Sequence, residues 1–98
     1  MFHIVIHCRP KKGNEEYYKK VLGAYASILI DFNDYDGVIL LSKYYVEENG
    51  WEIIDIEDEY YTFDKKSDLP EEYHSYFKEV VEYGYSVIFN TYGDSLSL

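Results

Sequence analysis

One cysteine, Cys8, leaves this chain without an internal disulfide framework. It also lacks a charged-then-apolar leader and any long apolar run, so nothing in it marks secretion or membrane insertion. The expected location is the cytoplasm. Basic residues are scarce as well: 9 Lys and Arg stand against 19 Asp and Glu, a formal net charge of -10. Such a field repels DNA, RNA and anionic membrane, and favours a cationic protein as partner. No glycine loop that could cradle phosphate, no G-x-S-x-G and no Cys-His pair with shared geometry occurs, so no enzyme and no cofactor are expected. No internal repeat is detected.

What is present is one domain's worth of chain, residues 1–98, with 47% hydrophobic and 29% charged residues, the balance of a soluble globular fold. Tyrosine is in excess, at 13. Some of these rings must lie at the surface, either capping the rim of the core or serving as rigid contact residues. The charge is uneven too. Residues 1–20 hold five Lys and Arg against two Glu, which leaves the remainder about thirteen negative.

"FHIVIHC" alternates apolar Phe2, Ile4, Ile6 and Cys8 with His3, Val5 and His7, the period of a strand with one face in the core. Turn residues Pro10, Gly13 and Asn14 lead into a second strand over residues 24–32, and the two are expected to form a hairpin with a long loop. In "NDYDGVILLSKYYVEENG", Asp34 can cap a helix that Asn49 and Gly50 stop. Val38, Ile39, Ser42, Tyr45 and Val46 form its sheet-facing stripe, with Ser42 allowing close approach. Leu40, Leu41 and Tyr44 lie beside that stripe and are free to meet another chain. A third strand starts at Trp51. A second helix follows from "SDLPEEYHSYFKEVVEYG", with Asp68 and Glu71 in capping-box spacing, Pro70 in its first turn and Gly84 at its end. "YSVIFNTY", residues 85–92, is a fourth strand, and residues 93–98 form a tail with no signal of order.

The order β-β-α-β-α-β predicts an α+β domain: a four-stranded mixed sheet with both helices packed on one face. The other face would then lie open, with Tyr25, Leu29, His3, Val5, Trp51 and the acidic residues available to it.

The third strand runs "WEIIDIEDEYYTF" and packs four carboxylates into five positions. In strand geometry Asp55, Glu57 and Glu59 share one side about 7 Å apart, with Asp58 turned to the other. A basic groove in a partner would relieve their repulsion. Tyr61 and Phe63 continue that side as apolar anchors. Alternatively, the charges guard a sheet edge against aggregation.

Other constellations carry less. His3 and His7 are four strand residues apart, roughly 13 Å, too far for one metal ion, and Cys8 points away from both. "FNDYDGVI" resembles part of an EF-hand loop, but its first and twelfth positions would be Phe32 and Lys43, so helix capping explains its aspartates. His74 is expected as a solvated helix residue. The lysines around Tyr17 and Tyr18 could stack on nucleic acid only against the field of the rest of the chain.

A small, acidic, tyrosine-rich domain with an open acidic surface resembles the immunity proteins of bacterial toxin systems, including those of contact-dependent growth inhibition. The resemblance implies stoichiometric inhibition, in which an acidic face covers the cationic, often nucleolytic, active site of a toxin domain. Asp55, Glu57, Asp58 and Glu59 would then pair and steer, and Tyr60, Tyr61, Trp51 and Tyr44 would pack. Two alternatives remain: a homodimeric binding module joined through Leu40, Leu41 and the open face, and a nucleic-acid-mimicking inhibitor.

Overall fold

A computed structural model describes residues 1–94. Strands β1 (Phe2–Pro10) and β2 (Gly23–Ile30) pair antiparallel from Phe2 with Ile30 to Cys8 with Ala24, the expected hairpin. Asn14 ties down its loop: Nδ2 donates to the Gly50 carbonyl at 3.1 Å, and Oδ1 accepts from the Tyr17 amide. Helix α1 (Tyr35–Glu48) starts where the sequence places it, since the Asp34 carboxylate accepts the Gly37 amide at 3.2 Å. It stops at Asn49 and Gly50, the latter at φ 87°, a left-handed conformation that suits glycine.

Strand β3 (Trp51–Ile56) pairs with β1, the chain leaves the sheet over residues 57–60, and β4 (Tyr61–Thr62) rejoins the same edge of β1. Two 3₁₀ turns, Lys66–Asp68 and Glu71–Tyr76, precede α2 (Phe77–Tyr83), which ends at Gly84 with φ 88°. Strand β5 (Tyr85–Tyr92) then pairs with β2 over the residues expected of it. The capping box between Asp68 and Glu71 does not form. Asp68 instead turns back to accept the amides of Asp64 and Lys65, which hold its carboxyl below the usual range.

The domain is α+β, but two expectations about its sheet are corrected. Among the described residues it has five strands, in the order β3-β1-β2-β5 with β4 beside β3 on the edge of β1, and every pairing between them is antiparallel. The reason is that β1 inserts between β2 and β3. The first crossover therefore joins strands that run the same way without touching, and the second carries the chain to the far edge, where β5 runs against β2.

The helices also lie on opposite faces. Val38, Ser42 and Val46 of α1 seat on the side of Ile4, Ile6, Cys8, Ala24, Ala26 and Ile28, which forms the main core with Trp51. Ser42 is fully buried there. The other side of the sheet carries Leu29 and Ile88, and these gather Val80 of α2 with Phe63, Leu69, Tyr73 and Phe77 into a second cluster. Both helices could share a face only if β2 were apolar on one side alone, yet Ile28, Leu29 and Ile30 are all buried. Of the expected tail, Gly93 accepts the Leu22 amide at 3.2 Å, and residues 95–98 lie outside the described residues.

Candidate functional site

Because α2 has only seven residues, it covers the end of its sheet face near Leu29; Tyr73 of the preceding 3₁₀ turn covers His3 and Ser27, and the end at Tyr25 and Tyr92 stays exposed. Odd-numbered positions of β1 and β2 point to that face. His3 lies opposite Leu29, Val5 opposite Ser27 and His7 opposite Tyr25, while β5 adds Asn90 beside Tyr25 and Tyr92 beside Gly23. On the outer side of β1, Asp55 sits across from His7 and Tyr61 across from His3, and the Glu57 amide donates to the Val5 carbonyl. The result is a strip about four residues long on a rigid strand framework.

Rings line this strip. His7 stacks on Tyr25 with centroids 4.5 Å apart and hydrogen-bonds the Tyr92 hydroxyl through Nε2. Tyr25 and Tyr92 lie 5.6 Å apart. Farther along, Tyr73 packs edge-on against His3 at 5.4 Å, and its hydroxyl shares a 3.0 Å hydrogen bond with Ser27 and accepts one from Asn90. Glu57 and Glu72 border a shallow depression of about 430 Å³ floored by His3, Val5 and Ser27. A second hollow of about 650 Å³ opens on the other side of Tyr61, between β4 and the first 3₁₀ turn, and also reaches His3. At the strip's opposite end Arg9, the sole arginine, grips Glu52 with two hydrogen bonds of 3.0 and 3.2 Å. Its positive charge is thereby matched.

His3 is the unusual member. It is 6% exposed, and its buried Nε2 has no hydrogen-bond partner among the described residues. Burial lowers its pKa from the ordinary 6.5, because the charged ring would lose its hydration. The unfolded chain therefore binds a proton that the folded one refuses. Stability from this residue is complete above about pH 6.5 and is lost as the pH falls below that value. Thermal melts should show a drop between pH 6.5 and 5 that is smaller in the His3→Leu variant. Carboxylates held low, such as Asp68 and Glu52, act only at more acid pH.

Cys8 is buried, its thiol pushed up to about 12, and it belongs to the core. Among the described residues no group of three His, Cys, Asp or Glu side chains is placed to hold a metal ion. None of their helices is long and apolar enough to cross a membrane.

The residues singled out in the sequence separate into several places. Asp55, Glu57 and Tyr61 do lie together on the strip. Tyr60 faces the α1 side, against Tyr35 at 4.7 Å and Phe2 at 5.8 Å, and Asp58 borders a depression there with Tyr35 and Leu40. Glu59 is exposed in the 57–60 excursion, so the expected row of three carboxylates ends at two. Phe63 is buried in the second cluster. Tyr44 is exposed on α1, edge-on to Tyr45, on the face opposite the strip, with Leu40 exposed and Leu41 half-buried nearby.

Trp51 is corrected outright. At 1% exposure it belongs to the main core, stacked on Phe89 at 5.0 Å. The cause is a bulge: Cys8 pairs with Ile53 but His7 pairs with Asp55, which leaves Ile54 as the extra residue. Trp51 and Ile53 therefore face α1, and Asp55 faces the other way. Leu29 and His3, expected on the open face, are on it but buried.

Sequence reasoning missed His7, Tyr73, Tyr92, Glu72 and Asn90 as members of the site. Parity within β1 gave a signal for His7, whereas Tyr73 and Glu72 arrive through 3₁₀ turns that leave no period to read. None of the 13 tyrosines is fully buried, so the surplus is a surface property. No protein-family model, curated protein or solved structure matches this chain.

Proposed function

We propose that this chain is an immunity protein, which neutralises a cationic bacterial toxin domain, a nuclease, by laying its acidic and aromatic strip over the toxin's active site. The observation that carries this reading is one rigid sheet face on which Asp55, Glu57 and Glu72 surround exposed Tyr25 and Tyr61. The carboxylates take the place of substrate phosphates and steer a basic surface inward. The tyrosines then supply contact area with little rotamer entropy to lose. Strand backbone holds both sets in place before the partner arrives, so little ordering accompanies docking. The protein acts by occupancy and performs no chemistry of its own.

The test is direct binding to, and rescue of growth from, the polypeptide encoded immediately upstream of this chain's reading frame. A one-to-one complex that restores growth is the expected result. An upstream frame with no basic toxin-like end, or a toxin that binds this chain without losing activity, overturns the proposal.

A further inference from the structure

The chain holds three histidines, and the Nε2 atoms of two of them have partners. That of His7 meets the Tyr92 hydroxyl, and that of His74 lies 2.9 Å from the Leu69 carbonyl. His3 differs. It is the most deeply buried of the three, and its Nε2 has no hydrogen-bond partner among the described residues. A polar atom buried unpaired is destabilising, and such atoms are rare enough in folded proteins to require a cause.

The surroundings of His3 point to a ligand. Its ring forms part of the wall of the hollow of about 650 Å³ that opens beyond Tyr61, a size within the range of about 300 to 1,000 Å³ usual for small-molecule sites. The walls are preformed. Phe63 and Leu69 are buried, and Asp68 fixes the loop between them by accepting the amides of Asp64 and Lys65. Tyr61 and Pro70 complete a lining of rings and apolar surface. Among the described residues lining the hollow Asp68 carries the only charge, and its carboxyl stays ionised because those same amides hold it low.

These features define a class of ligand. Flat rings pack well against Tyr61, Phe63, Leu69 and Pro70. The charge of Asp68 and the net charge of -10 disfavour an anion. Nε2 donates in one neutral tautomer of the imidazole and accepts in the other, and a hydroxyl can answer either.

We propose that this hollow binds a small uncharged or cationic bicyclic aromatic molecule whose hydroxyl hydrogen-bonds Nε2 of His3. Since Nε2 is covered in the free protein, Tyr61 turns aside on binding; its ring is 53% exposed and lies 5.9 Å from that of His3. The site adjoins the acidic strip, and it stands whether or not that strip covers a toxin.

Titration with naphthol, followed by nitrogen NMR of the histidine rings, tests the site. The expected result is saturable binding that shifts Nε2 of His3 and the Leu69 methyl groups and leaves Nε2 of His7 in place. Naphthoate, similar in shape but anionic, should bind at least about tenfold more weakly, and so should naphthol to the His3→Phe variant, which keeps a ring but loses the nitrogen. The nitrogen shift is read on the unaltered protein and is therefore independent of how that variant folds. Absence of saturation up to about 1 mM overturns the proposal. So does a shift at His7 as large as at His3, naphthoate binding as tight as that of naphthol, or undiminished binding to a folded His3→Phe variant.

Discussion

Replacing Trp51 with alanine should lower the stability of the fold by about 3–5 kcal/mol, the range for deleting a large buried aromatic side chain. The residue is 1% exposed and touches Phe89 at 5.0 Å and Tyr17 at 5.2 Å. Its removal therefore opens a hole between α1, β5 and the first loop, and none of these backbones can close it without breaking strand pairs. Urea unfolding followed by circular dichroism measures the effect, since the variant has no tryptophan left to report by fluorescence. A loss below about 1 kcal/mol would return Trp51 to the surface, because only an exposed position tolerates such a truncation.

Neutralising the strip should have the second large effect, on rate instead of stability. In a triple variant, Asp55→Asn, Glu57→Gln and Glu72→Gln, association with a cationic toxin domain at low salt should slow about tenfold or more, the scale on which steering acts. All three side chains are exposed, so the fold should be unaffected. Stopped-flow binding at rising salt should bring the two proteins' rates together as the Debye length shrinks below about 10 Å. A control that removes Glu47 and Glu48 on α1 together with Glu59 changes net charge equally. Equal slowing in the control would assign the effect to the whole molecule's charge and remove the strip from the mechanism.

Both predictions turn on one inserted residue. With regular alternation, Trp51, Asp55, Glu57 and Glu59 fall on the same side, which is how the sequence reads. The bulge at Ile54 sends Trp51 inward and leaves Asp55 outward, and nothing local in "WEIIDIE" distinguishes the two registers. The bulge is set by what β1 offers across the ladder, which is a tertiary fact. By contrast, α1 was legible because its ends are chemical: an aspartate that accepts a backbone amide, and a glycine at positive φ. The limits of β5 were legible for a similar reason, since Gly84 and Gly93 bracket it, both at positive φ.

The opposed placement of the helices was partly written in the chain. Ile28, Leu29 and Ile30 form a short continuous apolar run, which signals a strand buried on both faces, and the alternation of β1 concealed it. The site itself was half legible. Its acids stood out, whereas its ring stack joins His7, Tyr25 and Tyr92 from three strands, and only the pairing register brings them together.

The centre of the sheet is built from the first thirty residues, and both flanks of that hairpin are supplied by segments made later. During synthesis the nascent chain therefore displays a bare two-stranded ribbon until Trp51 and then Tyr85 clear the ribosome. Two-stranded ribbons are at best marginally stable alone. Commitment to the native state accordingly waits for nearly the whole message to be translated.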